Sequence, residues 1–420
     1  MRVLIVGINY RPELTGIGPY TAGLAEYLAA RGDAVTVITG LPHYPGWRIA
    51  RGTPRRLIRA ASIDGVHVLR AAHYVPPTQD AVRRGLYEAT FGLTALIASR
   101  RVERADAIVG VVPSLSGGVL ARLLGQRIGA PYGLLFQDLM GPASRQSGMT
   151  GGAVVARATT AAERWACRGA RAVGVVATSF GPYLRSLGVP EERIVHVPNW
   201  SRDVRADIPV EVVRERFGWT DERQVVLHAG NIGLKQGLEQ VVDAARLATQ
   251  RGDPVRFVLS GDGNQADAIR AAAHGLDNVE LLGLQPDGMH ASLLAAADVL
   301  LLSERATQID MSLPSKLTAY YVAGRPIMAA VPIGGASAAE VERSGAGIVV
   351  PAGEPEAMLD ALARLRAEPV LAATYAVAGP AHAGRHTAAA ACLERGAAFV
   401  DLVAAADAGV GHARAAGAAA

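Results

Sequence analysis

A chain of 420 residues, 50% hydrophobic and only 19% charged, has enough apolar material for more than one core, which excludes a disordered or fibrous protein. Lysine and arginine number 42 against 38 acids, and a net charge of +4 is too slight for a protein that coats a polyanion. The two cysteines, Cys167 and Cys392, exclude a disulfide scaffold and a cysteine-based zinc site, and point to a reducing compartment.

No stretch reads as a membrane span: the best candidate, 107–124, is broken by Pro113, Gly117, Gly118 and Arg122. Met1-Arg2, a short apolar run and then Asn9, Arg11 and Glu13 do not make a secretory signal, so a cytoplasmic location is expected. Residues 3–7 form an apolar strand, 22–30 a helix with Leu24, Tyr27 and Leu28 on one face, and 35–39 a second strand. Strand, helix and strand in about forty residues, with strands apolar on both faces, predict a parallel sheet covered by helices. Further strands are expected at 66–70, 107–112, 132–136, 173–177 and 194–197. From Asn199 to Arg223 the pattern pauses in a polar, turn-rich stretch read as a linker with one short helix. It then restarts, with strands at 225–229, 256–260, 279–282, 299–302, 326–330 and 347–350 and helices at 237–249, 265–273, 289–296, 316–323 and 355–367. The fold class is therefore α/β, two doubly wound Rossmann-like domains facing each other across a cleft. The expected division is 1–200, a linker 201–223, a second domain 224–403 whose last helix packs back on the first, and an Ala/Gly-rich tail 404–420.

Ligands of open α/β sheets bind beyond the carboxyl ends of the strands, so the loops there carry the chemistry. In the first loop, Gly16, Ile17 and Gly18 precede a helix, either as a backbone approach to an anion or as a long loop's turning point. The glycines come too late after the strand, the third position is Thr21 and no acid ends the second strand, which counts against a nicotinamide dinucleotide. Asp138, after Gln137 and before Gly141-Pro142, can take a proton from an acceptor hydroxyl, orient a sugar, or cap the next turn.

In the second domain, Gly230-Asn231-Ile232-Gly233-Leu234-Lys235 follows the first strand and opens a helix, which suits a diphosphate. Gly261-Asp262-Gly263 resembles a nucleotide-lining turn and reads equally as an ordinary β-to-α turn. Ser315, Lys316 and Leu317 open another helix, where Ser315 can cap and Lys316 can reach an anion. Lys235 and Lys316 are the chain's only lysines, both placed at helix starts. His43, His67 and His73 have no metal-motif spacing and read as core or loop histidines. From Arg48 to Arg84 run eight arginines, Arg48, Arg51, Arg55, Arg56, Arg59, Arg70, Arg83 and Arg84, against Asp64 and Asp80. This basic segment suits an acidic membrane surface, a phosphate-bearing acceptor, or simple solvation, and lacks the aromatic ladder of a nucleic-acid binder.

Four stretches resemble the retaining GT-B glycosyltransferases of family 4, in particular the colanic-acid-type exopolysaccharide branch. They are Asn9-Tyr10-Arg11-Pro12-Glu13 with Gly16-Ile17-Gly18; Thr36 through Pro45; Gly230 through Glu239; and Leu313-Pro314-Ser315-Lys316-Leu317 with Gly324-Arg325-Pro326. The resemblance covers residues 1 to about 403. It implies a GT-B fold, a UDP-, GDP- or dTDP-sugar donor on the second domain, a small-molecule or lipid-linked acceptor on the first, and transfer with retention of configuration. It also implies no cofactor and no metal. Lys235 matches the family's phosphate-binding lysine, Ser315, Lys316 and Leu317 its donor-phosphate and ribose segment, and Asp138 stands where many relatives have a histidine that contacts the transferred sugar. The chain departs from the family where two glutamates usually stand, at Met311 and Ala319, with Asp310 or Glu304 as possible substitutes for the first, and at Asn231 in place of an arginine. The alternatives are a non-catalytic coupling protein of the same fold and a sugar-nucleotide epimerase, which would need acids and histidines around the sugar.

Overall fold

The structure, a computed structural model, describes residues 1–405 apart from 14–15, 45, 50–52, 54–55, 78–79, 142–151, 202–205 and 308–313. Asp310, Met311, Leu313, Arg51, Arg55, Pro45, Pro142 and the tail 406–420 therefore lie outside the described residues. The chain forms two units, one of Met1–Val197 with residues from Leu393 onward, the other Pro198–Cys392.

The first unit alternates β1 (Arg2–Val6), α1 (Gly18–Ala30), β2 (Ala34–Gly40), β3 (Ile58–Ile63), β4 (Val66–Ala71), α2 (Ala81–Ala98), β5 (Ala107–Val112), α3 (Leu115–Ile128), β6 (Tyr132–Phe136), α4 (Gly152–Arg168), β7 (Val173–Val175), α5 (Gly181–Ser186) and β8 (Ile194–His196). The sheet order is β3-β4-β2-β1-β5-β6-β7-β8. All pairs are parallel except β3 with β4, a hairpin turned by Asp64 (φ 49°) and Gly65 (φ 81°). The sequence reading missed β3, although Asp-Gly is the preferred dipeptide for such a two-residue turn.

Strands β1 and β5 are buried along nearly their whole length, as a sheet covered on both faces requires. Helix α1 lays Leu24, Ala25 and Leu28 on Val3, Ile5, Val35 and Val37. The final helix, α14 (Ala389–Ala404), adds Ala397, Phe399, Val400 and Val403 to the same core, and Asp401 pairs with Arg31 at 2.8 Å.

The second unit runs α6 (Val210–Arg216), β9 (Gln224–Ala229), α7 (Glu239–Arg251), β10 (Val255–Ser260), α8 (Ala266–Ala272), β11 (Val279–Leu281), α9 (Asp287–Ala296), β12 (Val299–Ser303), α10 (Lys316–Ala323), β13 (Ile327–Val331), α11 (Ala336–Ser344), β14 (Gly347–Pro351), α12 (Pro355–Ala367) and α13 (Pro369–His386). Its sheet is wholly parallel, in the order β11-β10-β9-β12-β13-β14. Counted from its own first strand this is the 3-2-1-4-5-6 Rossmann order, whose direction reverses between β9 and β12. Much of the stretch read as a linker is built into this unit. Trp219 is 1% exposed, stacks on Phe217 and donates from Nε1 to Glu280 at 2.9 Å, so an apolar anchor sits inside a polar, turn-rich sequence.

Candidate active site

In the second unit, the loops after β9 and β10 lock together. Gly230 N donates to Ser260 O at 2.8 Å, Ile232 N to Asp262 O at 2.9 Å and Gln265 N to Ile232 O at 3.0 Å. Gly261 (φ 147°) permits this: a Cβ there would lie 1.8 Å from the Gly230 carbonyl oxygen. Gly230, Asn231, Gly261 and Asp262 thus come together at the carboxyl ends of β9 and β10, with the Asn231 and Asp262 side chains exposed. Gly233 N donates to Gln236 Oε1 at 3.2 Å.

The two lysines have different surroundings. Lys235 lies on a short 3-10 turn, Leu234–Gln236, and its side chain is exposed; its carbonyl accepts from Arg305 N at 3.0 Å. Lys316, the first residue of α10, reaches back to the end of β9. Its Cε stands 3.4 Å from where a Gly230 Cβ would be, and its Nζ lies 3.2 Å from His228 Nε2. Burial pushes the ammonium down to about 7, and Glu304 pulls in the opposite direction. His228, 0% exposed, is pushed well below its ordinary value by burial and then by the Lys316 charge, and its Nε2 faces both Lys316 Nζ and, at 3.4 Å, the Asn231 carbonyl.

Glu304, at the end of β12, accepts from Ser337 Oγ at 2.8 Å. Gln240 fastens this corner by donating to Ser303 Oγ at 2.9 Å and Glu304 O at 3.0 Å. Tyr320, beneath Ala229, accepts its N–H at 2.9 Å. Ser315 occupies the N-cap position of α10 without a capping hydrogen bond, because its backbone is already helical (φ −59°, ψ −21°). Two amides of the first turn are engaged within it: Leu317 N donates to Pro314 O at 3.0 Å and Thr318 N to Ser315 O at 3.3 Å. These two turn bonds sit beside the Lys316 ammonium, the positive charge at the start of α10. Leu317 is buried under the turn and Ala319 is half-buried on α10.

Sequence reasoning missed His228. It stands inside Val225-Val226-Leu227-His228-Ala229, where the apolar run masks a polar residue that points at Lys316 from another element.

In the first unit, Gly16 (φ 69°) lies where a Cβ would meet Tyr44 Cε1 at 2.9 Å, and Ile17 is the N-cap of α1, its carbonyl accepting from Tyr20 N at 3.1 Å and Thr21 N at 3.0 Å. Gly18 backs onto Glu13, which is 4% exposed. The Glu13 carboxylate ties two loops together, accepting from Asn9 Nδ2 at 2.9 Å, His43 N at 2.9 Å and Tyr44 N at 3.0 Å. Burial raises the Tyr44 phenol, and the charges of Asp138 and Glu13 raise it further. Gly16, Tyr44 and Asp138 therefore share the carboxyl end of this sheet. Asp138 is half-exposed, and the amides of Met140 and Gly141 after it are held by Glu163 at 3.0 and 3.1 Å.

The basic segment does not act as one face. Arg70 is 8% exposed and donates to Gly40 O and Arg11 O. Arg83 pairs with Asp80 at 3.0 Å, and Arg84 stacks over Trp47 and Tyr87. Arg48 and Arg56 are exposed. His43 and His73 are core residues with ring centroids 5.0 Å apart, His43 bonding Tyr87 Oη at 3.0 Å; burial lowers both, His73 to about 4. His67 is exposed. Among the described residues no helix is long and apolar enough to cross a membrane.

Residues 15–200 match the glycosyl transferase 4-like domain family, and residues 223–368 match the glycosyl transferases group 1 family. The putative colanic acid biosynthesis glycosyl transferase WcaI of Escherichia coli K12 is 36% identical over 332 residues, spanning 76% of this chain and 80% of that one. The alpha-D-kanosaminyltransferase of Streptomyces kanamyceticus is 29% identical over 218 residues, 50% of this chain and 55% of that protein. Among solved structures, sucrose-phosphate synthase of Thermosynechococcus elongatus superposes with a TM-score of 0.72 at 18% identity, covering 96% of this chain and 100% of that one. HepE of Anabaena, solved with UDP-glucose, gives a TM-score of 0.69 at 16% identity, covering 96% of this chain and 99% of that one. These likenesses establish the fold as GT-B. The chain belongs to the group 1 glycosyl transferases, with a glycosyl transferase 4-like domain at its amino-terminal side, and is a glycosyltransferase.

Proposed function

We propose that the protein moves a sugar from a nucleoside diphosphate donor, held by the second unit, to a hydroxyl acceptor held by the first, with retention of anomeric configuration. The observation that carries this reading is the Lys316 ammonium, set on His228 beside the interlocked glycine turns of β9 and β10 at the point where the strand order reverses. The turns at Gly230, Gly233 and Gly261 allow a diphosphate to come close to backbone, Lys316 and Lys235 supply positive charge, and Asn231, Asp262 and Ser315 line the rest, with Leu317 buried beneath in the core. Glu304, electrostatically linked to Lys316, stands in for the missing first glutamate.

In the transfer, the bond from the anomeric carbon to the diphosphate breaks while the acceptor oxygen bonds that carbon from the same face. The acceptor proton passes to the departing diphosphate. Lys316 and Lys235 stabilise the growing charge on the leaving group, the role a divalent cation plays elsewhere. Asp138 and the Gly16-Ile17-Gly18 loop position the acceptor. The similarity to WcaI and the kanosaminyltransferase supports a pathway in polysaccharide, glycolipid or glycosylated natural-product assembly.

The test is proton NMR of the sugar released or transferred from each of UDP-, GDP- and dTDP-sugars, with and without EDTA. Retained configuration with one donor and a rate unaffected by EDTA is expected. An inverted product would overturn the mechanism, and a rate lost in EDTA and restored by Mg²⁺ would overturn its metal independence.

A further inference from the structure

Helix α2 carries an apolar stripe on its outward side. Val82 is 73% exposed, Leu86 50%, Leu93 64%, Leu96 37% and Ile97 40%. With the exposed Ala89 they fall within about 100° of one another around a helix of 3.6 residues per turn, over four turns without a polar interruption. The opposite side is a complete core face, Tyr87, Phe91, Ala95 and Ala98, each 2% exposed or less. Among the described residues no other helix exposes more than two large apolar side chains. The stripe is not required for packing within the unit.

The charges around the stripe are one-sided. Arg83 and Arg84 stand at its first turn, and Arg100, Arg101 and Arg104 are exposed beyond its last. Of the nearby acids, Asp80 caps the helix through Arg83 N at 2.9 Å and pairs with Arg83, while Glu88 turns inward to Ser114 and Ser116. Glu103 is exposed, and the half-exposed Asp80 carboxylate is matched by Arg83. Exposed Arg56 and Leu57 precede β3, whose start pairs with the carboxyl end of β4 and so lies at the end of the sheet from which the chain leads into α2.

We propose that α2 lies flat on an anionic bilayer, its aliphatic stripe in the acyl boundary and its arginines among the headgroups. An apolar stripe with basic residues at both ends is what an interfacial helix needs. The surface shares only Arg83 and Arg84 with the Arg48–Arg84 segment marked in the sequence, whose other described arginines are engaged or lie off the stripe, and its unshared basic end is Arg100, Arg101 and Arg104. A second copy of the chain is disfavoured as the occupant, because pairing two such stripes brings the arginine clusters of both copies together without matching acids.

The experiment is co-sedimentation of the full chain with sucrose-loaded vesicles, either phosphatidylcholine alone or equal parts phosphatidylcholine and phosphatidylglycerol. It needs no donor or acceptor and is independent of the donor assignment. Binding is expected to the anionic vesicles only and to weaken with salt. Leu86→Glu with Leu93→Glu should lower the partition coefficient more than tenfold with the melting temperature and donor turnover in solution unchanged. Arg100→Gln with Arg101→Gln leaves the stripe intact and should lower it severalfold. Three results would overturn the proposal: wild-type protein left in the supernatant, a double-glutamate variant that binds within twofold of wild type, or a vesicle-free dimer that the same variant dissociates.

Discussion

Lys316 ought to make donor binding depend on pH across neutrality. The unliganded ammonium titrates at about 7, so about nine-tenths of it is charged at pH 6 and about one-tenth at pH 8. A bound diphosphate favours the charged form and raises that value, so binding takes up a proton wherever the free amine has lost one. Affinity is then highest below pH 7 and falls as pH rises, by about tenfold or ~1.4 kcal/mol between pH 6 and 8. The assay is isothermal titration with the nucleotide sugar that the NMR test selects, because its diphosphate is a diester and does not itself titrate in this range. Repeating it at pH 8 in two buffers of different ionisation enthalpy should show uptake approaching one proton per ligand. Lys316→Arg keeps its charge and should bind with a flat profile from pH 6 to 8. A flat wild-type profile, or the same slope in Lys316→Arg, would refute the placement of this ammonium on the donor.

The same group makes the unliganded protein less stable at low pH. Its folded value lies below the ordinary 10.5, so the destabilisation is full below pH 7 and stability rises as pH climbs from 7 toward 10.5; Lys316→Met should raise the melting temperature at pH 6 and abolish that rise. Lys235→Ala should weaken nucleoside diphosphate binding more than tenfold in titration calorimetry, and unchanged affinity would remove Lys235 from the diphosphate. Gly261→Ala places a methyl 1.8 Å from the Gly230 carbonyl oxygen and should cost about 3 kcal/mol or more in denaturant unfolding, along with nucleotide binding. Asp138→Asn should lower kcat at least tenfold with donor affinity unchanged; an unaltered kcat would leave the residue a structural one.

What the sequence disclosed follows from the range of each signal. The strands were legible because both faces are buried, so apolar runs such as Val299–Ser303 need no alternation to be recognised. The glycine turns at Gly230 and Gly261 were legible because a β-to-α turn that needs positive φ leaves glycine at a fixed place after the strand. β3 went unseen because only half of it faces other side chains, and its marker was a two-residue turn. His228, Glu13 and Arg70 were opaque for a different reason. Each is defined by partners 30 or more residues away, Lys316 for His228, His43 and Tyr44 for Glu13, Gly40 and Arg11 for Arg70. Burial of a charged group depends on such distant partners, which no spacing rule reports. The two lysines show the same limit, being alike in sequence context and unlike in exposure.

The most direct test of the central claim is thermal unfolding of the whole chain in the presence of UDP, GDP, dTDP, ADP or NAD at saturating concentration. A nucleoside diphosphate at a hundred times its Kd stabilises the folded state by about 2.7 kcal/mol. The account predicts a shift with one nucleoside diphosphate, lost in Lys316→Met and Gly261→Ala. A shift with NAD alone, or none with any nucleotide, would contradict a donor site on the second unit.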